Sequence, residues 1–230
     1  MHLLLLAIAP VFLIILYIYY KDKYDKEPKR LLFYSFLLGA VVSIIVTTVL
    51  YIISDYTIPI EIVGNKSIWQ LFVKAFFIVA LIEEFSKYII VRYFAQPNKA
   101  FNEQFDGIVY AVMVSMGFAA TENIMYVLQG GMQTALLRAF TAVPAHATFA
   151  VLMGFFMGKA KFSKNRRRLN LLGLVLAVLF HGTYDFFLFL EFIPGIWIGA
   201  FLSLFIGLIL SRKAIKKHSN NSRFKDSFTL

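Results

Sequence analysis

The sequence predicts an all-α, polytopic membrane helical bundle of about seven transmembrane helices, and two features of the chain lead to this prediction. Hydrophobic residues make up 60% of its 230 residues and charged residues only 16%, whereas soluble domains contain about 25% charged residues. The apolar residues are also grouped in runs close to the roughly 20 residues that a helix needs to cross a bilayer. Composition therefore favours a membrane protein over one or two soluble domains.

Seven apolar runs are visible, at residues 2–20, 31–53, 69–91, 107–128, 138–158, 170–190 and 196–210. The first run is not preceded by basic residues and no small-residue cleavage site follows it, so it is expected to be a retained helix. Residues 129–137 are expected to form a short loop. The loops are too short for a second folded domain. We therefore expect one transmembrane bundle over residues 1–211, with its core at 69–190, and a basic cytosolic tail at 212–230.

The basic residues give the predicted orientation. Net charge is +10, but the lysines and arginines fall in short clusters between apolar runs, which fits contact with anionic lipid head groups rather than with nucleic acid. The loops after runs one, three and five and the tail hold most of them, and the remaining loops hold only Lys66. The positive-inside rule then places the amino terminus outside and the carboxyl terminus in the cytosol.

Glu83, Glu84 and Lys87 lie inside the third apolar run. Charges at such depth are expensive in a membrane and usually face a protein interior or a wet cavity. Glu83 and Lys87 are four residues apart, so they share a helix face and can pair. The neighbouring glutamates point roughly 100° apart. One of them can therefore face a central site while the other faces a neighbouring helix.

Other runs carry a small set of further polar side chains, namely Asp106 at the start of the fourth run, Glu122, Asn123, Arg138 near the outer end of the fifth run, His146, His181 and Asp185. His181 and Asp185 are four residues apart, so Asp185 can orient the imidazole. With a rise of 1.5 Å per residue, the glutamates, the two histidines and Asp185 fall roughly 10–22 Å from the cytosolic ends of their helices, with Glu83 and Glu84 at the shallow end. Four helices could thus point carboxylates and imidazoles into one buried pocket.

Carboxylates beside imidazoles can activate water, because a glutamate can take its proton while a histidine polarises a carbonyl or protonates a leaving amine. The same residues, Glu83, Glu84, His146 and His181, could instead bind zinc. The chain has no cysteine and no His-Glu-x-x-His motif, which argues against a metal site. No serine lies in a nucleophile elbow, which argues against covalent catalysis. We expect no obligatory cofactor, with zinc as the alternative.

Structural explanations exist for each feature taken alone. A Glu–Lys pair, an interhelical histidine or a polar clamp can simply hold a bundle together, and Gly117, Gly154 and Gly158 are expected to permit close helix approach. Buried acids and histidines are also the parts of a proton- or ion-coupled transporter, although the chain has no two-half repeat. A non-catalytic scaffold that binds a transmembrane partner is a third class. The joint occurrence of these groups on four helices favours a catalytic site.

At these residues the chain resembles a known family. The segment Glu83-Glu84-Phe85-Ser86-Lys87 matches the Glu-Glu-x-x-Lys motif of the PrsW family of bacterial intramembrane proteases. Residues 105–110 and 117–123 resemble its second block, and His146 and His181-Gly-Thr-Tyr-Asp185 resemble its third and fourth. The blocks come in the family's order and span nearly half of the chain.

The resemblance implies a glutamic-type endopeptidase of the bacterial cell membrane, distantly similar to the CAAX-processing (Abi) proteases. Such a protein would make the first (site-1) cut in the extracytoplasmic part of a single-pass anti-sigma factor, and so activate an extracytoplasmic-function sigma factor in a stress response. Carried over by position, the catalytic residues would be Glu83, Glu84, His181 and His146, supported by Lys87, Glu122, Asn123 and Asp185.

The predicted depth of the two glutamates disagrees with the side of the membrane on which the implied substrate is cut. The glutamates are expected nearer the cytosol, whereas the family's substrates are cut outside. Either the helices are offset, or an aqueous cavity opens outward to that depth.

Overall fold

A computed structural model describes residues 2–57 and 67–225 of the chain, and within these ranges the regular structure is helical, with no strand. The α-helices are α1 (His2–Lys21), α2 (Lys29–Leu38), α3 (Ile44–Thr57), α4 (Ile68–Val73), α5 (Leu81–Ile90), α6 (Phe105–Phe140), α7 (Ala142–Lys161), α8 (Arg166–Phe189) and α9 (Ile198–Asn220). Three π-helical stretches, Gly39–Ser43, Lys74–Ala80 and Val91–Ala95, join or extend them. The all-α prediction is confirmed.

In the described part of the chain, five stretches are long and apolar enough to cross a membrane, namely His2–Lys21, Lys29–Thr57, Phe105–Lys161, Arg166–Phe189 and Ile198–Asn220. The protein is therefore a multi-pass membrane protein. Two of the predicted runs fall within the single stretch Phe105–Lys161, and the run predicted at 69–91 is divided among α4, a π-helical stretch and α5. The count of seven crossings and the orientation stay predictions.

The loop predicted at residues 129–137 is shorter than expected, because the residues on both sides of Gly131 are helical. The chain turns at Gly131, whose φ of 68° and ψ of −154° interrupt α6, and a glycine adopts that conformation without steric cost. After this turn the helix returns beside itself, since Arg138 contacts Glu122, sixteen residues earlier. Thr141, with non-helical dihedral angles, separates this returning arm, Met132–Phe140, from α7.

The basic tail predicted from residue 212 begins as helix, because α9 continues to Asn220. Ala214, Ile215 and His218 are buried, and the His218 ring stacks on Phe155 of α7 with centroids 4.1 Å apart. A buried stripe therefore persists beyond the point where the sequence turns basic. Residues 226–230, and the part of the predicted outer loop at 58–66 that contains Lys66, lie outside the described residues.

Helix α6 lies at the centre of the bundle, and glycines let its neighbours approach it closely. A Cβ atom added to Gly154 of α7 would lie 2.3 Å from the carbonyl oxygen of Gly107, and one added to Gly117 would lie 2.0 Å from that of Phe36 in α2. Gly158 is equally close to the backbone before α6. The expectation that Gly117, Gly154 and Gly158 permit close approach is confirmed, and this packing fixes the helices that carry the polar groups.

Replacing Gly154 with alanine should destabilise the bundle, since the new methyl group would meet backbone that cannot rotate away. Overpacking of this kind costs about 1–3 kcal/mol, and each kcal/mol lowers the unfolding midpoint of a chain of this size by roughly 2–4 °C. Thermal unfolding of purified protein in detergent measures this. Gly130→Ala is the matched control, because its methyl group meets only the Thr134 side chain. Equal midpoints for the two variants would contradict the packing argument.

Candidate active site

Helix α5 carries the glutamate pair, and polar contacts hold it against the second span. The Ser86 hydroxyl of α5 lies 2.6 Å from the hydroxyl of Ser43 and accepts a hydrogen bond from Thr47 at 2.9 Å. Ser86 also donates to the backbone carbonyl of Glu83 at 2.7 Å. These small hydroxyls fix the rotation of α5, so that both glutamates point into the bundle and are buried.

The Lys87 ammonium is the cation at the centre of this polar group. Its Nζ lies 2.7 Å from Glu84 Oε1, 3.6 Å from Glu83 Oε2 and 3.3 Å from His146 Nδ1. It also lies over the Phe118 ring, 4.1 Å from its centroid. The predicted Glu83–Lys87 pair is therefore present, but the shorter contact joins Lys87 to Glu84.

His181 lies between two carboxylates. Its Nδ1 is 2.9 Å from Glu84 Oε1, and its Nε2 is 3.2 Å from Asp185 Oδ2, which confirms the predicted contact with Asp185. The Phe149 ring stacks on the imidazole, with centroids 4.8 Å apart. Because carboxylates only accept hydrogen bonds, we assign a proton to each ring nitrogen, which makes His181 an imidazolium.

His146 has the opposite surroundings. Its Nδ1 faces the Lys87 ammonium and its Nε2 lies 2.9 Å from Glu122 Oε2. An ammonium can only donate, so we assign Nδ1 as the acceptor and Nε2 as the protonated nitrogen, which makes this imidazole neutral. The rings of His146 and His181 are nearly perpendicular, with centroids 5.4 Å apart. The site thus holds one neutral and one charged histidine side by side.

Glu122 and Asn123 join the site to the returning arm. Arg138 Nη2 donates to Glu122 Oε2 at 2.6 Å, and Arg138 Nε donates to Asn123 Oδ1 at 2.7 Å. The Asn123 amide in turn donates to the Ala7 carbonyl of α1 at 2.7 Å. The pair is therefore a structural clamp as well as a partner of His146.

All of the predicted site residues belong to one connected network, namely Glu83, Glu84, Lys87, Glu122, Asn123, His146, His181 and Asp185. Two members were not among the predicted site residues. Tyr51 donates its hydroxyl proton to Glu83 Oε1 at 2.9 Å, and a tyrosine in an apolar run gives no signal that separates it from an interfacial aromatic. Arg138 did give a signal, since it is a charge at the end of an apolar run.

A cavity of about 670 Å³ reaches these groups. Glu83, His146 and His181 line it, together with Asp55 and Lys74 from the outer ends of the predicted second span and third run. Among the described residues, Glu84 and Lys87 are not part of this lining. Under the predicted orientation the cavity extends toward the extracytoplasmic side, which favours an outward-opening cavity over an offset of the helices.

Three of these residues also have the arrangement of a metal site. One donor atom from each of Glu83, His146 and His181 lies within 4.8 Å of the other two. Two imidazoles and one carboxylate are a common ligand set of catalytic zinc, and Glu83 Oε2 is buried without a hydrogen-bond partner among the described residues. The three side chains therefore fit a divalent ion. Glu84, which the sequence had included among the possible ligands, is not in this group.

Comparison with known proteins gives one consistent result. Residues 27–211 match the model of a family described as PrsW family intramembrane metalloprotease. The chain is 40% identical over 184 residues to Protease PrsW of Bacillus subtilis (strain 168), covering 79% of this chain and 80% of that protein. It is 38% identical over 198 residues to Protease PrsW of Geobacillus kaustophilus (strain HTA426), covering 85% and 84%. It is 31% identical over 232 residues to Protease PrsW of Clostridioides difficile (strain 630), covering 97% of this chain and 94% of that protein. No solved structure matches the chain.

Replacing Arg138 with methionine should destabilise the protein, because it leaves Glu122 with one fewer positive partner in a site where both side chains are only 14% exposed. Breaking a buried pair costs about 3–5 kcal/mol, and the remaining contact with His146 should hold the loss near the lower value. The unfolding midpoint in detergent measures it.

The double variant Arg138→Met with Glu122→Gln should recover part of the loss, since no unpaired carboxylate remains. Arg92→Met is the control, because Arg92 contacts a ring, that of Tyr93, and has no carboxylate within ion-pair distance among the described residues. Equal losses at Arg92 and Arg138, or a double variant no more stable than Arg138→Met, would count against the clamp.

Proposed function

Because this chain belongs to the PrsW family of intramembrane proteases, and is therefore a membrane-embedded peptidase, we propose that Glu83 activates the water that cuts the substrate. One observation carries the proposal: Glu83, His146 and His181 converge on a single cavity. A general base must come within hydrogen-bond reach of the proton it removes, and these side chains border the space that a peptide bond and a water would share.

The two glutamates are assigned different roles. Glu83 lines the cavity and its Oε2 has no hydrogen-bond partner among the described residues. Glu84 lies outside the lining, and its Oε1 contacts both Lys87 and His181. Glu83 is therefore the candidate base. Glu84 is a positioning residue that holds the lysine and the imidazolium in place.

Charge balance supports this assignment. With His181 protonated and His146 neutral, the described site residues provide four carboxylates and three cations. The carboxylates are Glu83, Glu84, Glu122 and Asp185, and the cations are Lys87, Arg138 and His181. One negative charge is left over, and it belongs to the carboxylate with the weakest ion pair, Glu83, at 3.6 Å from Lys87. An under-compensated carboxylate in a low-dielectric site readily accepts a proton.

The reaction then follows from the groups present. Glu83 takes one proton from water while the water oxygen attacks the scissile carbonyl carbon, and the carbonyl electron pair moves onto its oxygen. The His181 Nε2–H bond to Asp185 is the longer of its two, at 3.2 Å, and can turn toward that developing negative charge. The electron pair on the oxygen then re-forms the carbonyl as the carbon–nitrogen bond breaks, and Glu83 returns its proton to the leaving nitrogen. The products are a carboxylic acid, which still carries the second proton of the water, and an amine. Transfer of that proton from the acid to the amine leaves a carboxylate and an ammonium.

The proposed substrate is a single-pass membrane protein, an anti-sigma factor, that receives its first (site-1) cut in the part that lies outside the membrane. The family motifs in the sequence imply this substrate. The cavity supports the position of the cut, because its lining comes from the ends of the helices that are predicted to be extracytoplasmic. An extended substrate segment that enters from that side reaches Glu83 through the cavity, without separating the helices at their cytosolic ends.

A metalloprotease with the same residues is the second candidate, favoured by the three convergent donors and by the family's description. Glu83, His146 and His181 would hold the ion, and it would supply Lewis-acid polarisation of the scissile carbonyl. The Lys87 ammonium, 3.3 Å from His146 Nδ1, counts against it, since a second cation there would be repelled. We therefore place water activation by Glu83 first.

Glu83→Gln should lower the rate of cleavage by about 10²–10⁴, the contribution typical of a general base, without changing the yield of folded protein. His181→Ala should lower it similarly. Glu84→Gln should lower kcat more than it changes KM, because Glu84 acts through His181. Cleavage is measured in proteoliposomes by mass spectrometry of new peptide amino termini in co-reconstituted single-pass membrane proteins.

Glu103→Gln is the matched control, since Glu103 is a buried glutamate outside the network and its loss should leave the cleavage rate near wild type. Unchanged cleavage by Glu83→Gln would overturn the assignment of the base. Ion flux through wild-type proteoliposomes, lost in Glu83→Gln and unaccompanied by proteolysis, would favour a transporter instead.

Metal removal separates the two chemical candidates. Dialysis against EDTA followed by 1,10-phenanthroline should leave the cleavage rate unchanged, and elemental analysis should find well below one zinc per chain, because Glu83 activates water unaided. Loss of cleavage that added zinc restores would replace this mechanism with the metal-dependent one.

A further inference from the structure

Lys74 is a charge inside the bundle that the catalytic network does not use. It lies on the stretch that leads from α4 to the glutamates, at the start of the π-helical stretch Lys74–Ala80. Its side chain lines the same cavity as Glu83. Its ammonium contacts only a ring, that of Phe189, 5.3 Å from the centroid, and among the described residues no carboxylate lies within ion-pair distance.

A lysine in a predicted membrane span that has no carboxylate partner among the described residues needs one. A lysine near a helix end can place its ammonium at the membrane surface, and such a residue would point toward lipid. Lys74 instead borders the cavity, partly buried, with Phe189 beside it on the same wall. The group best placed to meet its ammonium is therefore one that enters the cavity.

The separation along the helix sets where that group would be. Lys74 and Glu83 are nine residues apart, or roughly 13 Å at 1.5 Å per residue. An extended peptide covers about 3.3–3.6 Å per residue. A substrate strand whose cut bond lies at Glu83 would therefore present its fourth residue, counted toward the cavity mouth, to Lys74.

We propose that Lys74 determines specificity by pairing with an acidic side chain of the substrate, about four residues from the cut bond on the side that leads out of the membrane. This inference rests on the proposed function of Glu83. The Lys74 ammonium and a substrate carboxylate would form a charge-assisted hydrogen bond in a partly desolvated cavity, where such bonds are strongest. A hydroxyl or amide side chain at the same position of a neutral substrate would form a weaker hydrogen bond with Lys74.

The test uses pooled synthetic peptides in detergent micelles with purified full-length protein, in which glutamate or glutamine is placed at each position on both sides of the cut. Wild type should cut the glutamate peptide about tenfold faster than the glutamine peptide at the third to fifth position on one side only. Lys74→Arg should keep this preference, Lys74→Met should abolish it, and Lys74→Glu should reverse it in favour of lysine.

Lys159→Met is the matched control, since Lys159 is also partly buried over a ring, that of Phe155, at 4.9 Å, and lies outside the cavity lining. All variants should cut the glutamine peptide at similar rates, which shows that they fold. If Lys74→Met keeps the glutamate preference unchanged, this inference is wrong and the proposed function stands. The same conclusion follows if Lys74→Met changes only how the cleavage rate responds to anionic lipid. No cleavage of any peptide by wild type would overturn the proposed function and this inference together.

Discussion

The structure depends on compensating charges inside a membrane bundle. An isolated charge in the hydrocarbon region is costly, and here the compensation runs across helices: Arg138 of the returning arm contacts Glu122 of α6, and Glu84 of α5 contacts His181 of α8. Each of these contacts both neutralises a charge and fixes the position of a helix. The groups that would carry the chemistry are therefore also the groups that hold the bundle in register, and this explains how such a polar centre can exist in so apolar a chain.

Close backbone packing makes this arrangement possible. Gly107 and Gly154 let α6 and α7 meet at backbone distance, and farther along the same two helices Glu122 lies 2.9 Å from His146. Where the helices separate, the cavity begins, and its outer wall includes the returning arm held by Arg138. Among the described residues, tight packing on the half that is predicted to be cytosolic and a polar opening on the other half thus give the site one route of access.

Sequence reasoning found the fold class and, apart from Arg138, every charged member of the network, because the cost of burying such groups leaves few alternatives. It could not separate Glu83 from Glu84, since helical spacing says only that they point about 100° apart, and the environment of each depends on other spans. It placed the turn within residues 129–137 but made the loop too long, because helix continues on both sides of Gly131. Tyr51 was invisible because its role comes from a contact 32 residues away.

The geometry also bears on why these residues would hydrolyse a peptide rather than conduct protons. A relay needs groups whose protonation states can alternate along a path that crosses the membrane, and in the described residues the ionisable chain ends at Lys87 and Glu84, behind the cavity wall. On the side of that pair that is predicted to be cytosolic, α6 and α7 meet through Gly107, Gly154 and Gly158 with no room for a water path at those contacts. Among the described residues the polar groups therefore have one open face, toward the predicted outside. One opening of this kind suits a substrate that enters and leaves on the same side better than a proton path that crosses the membrane.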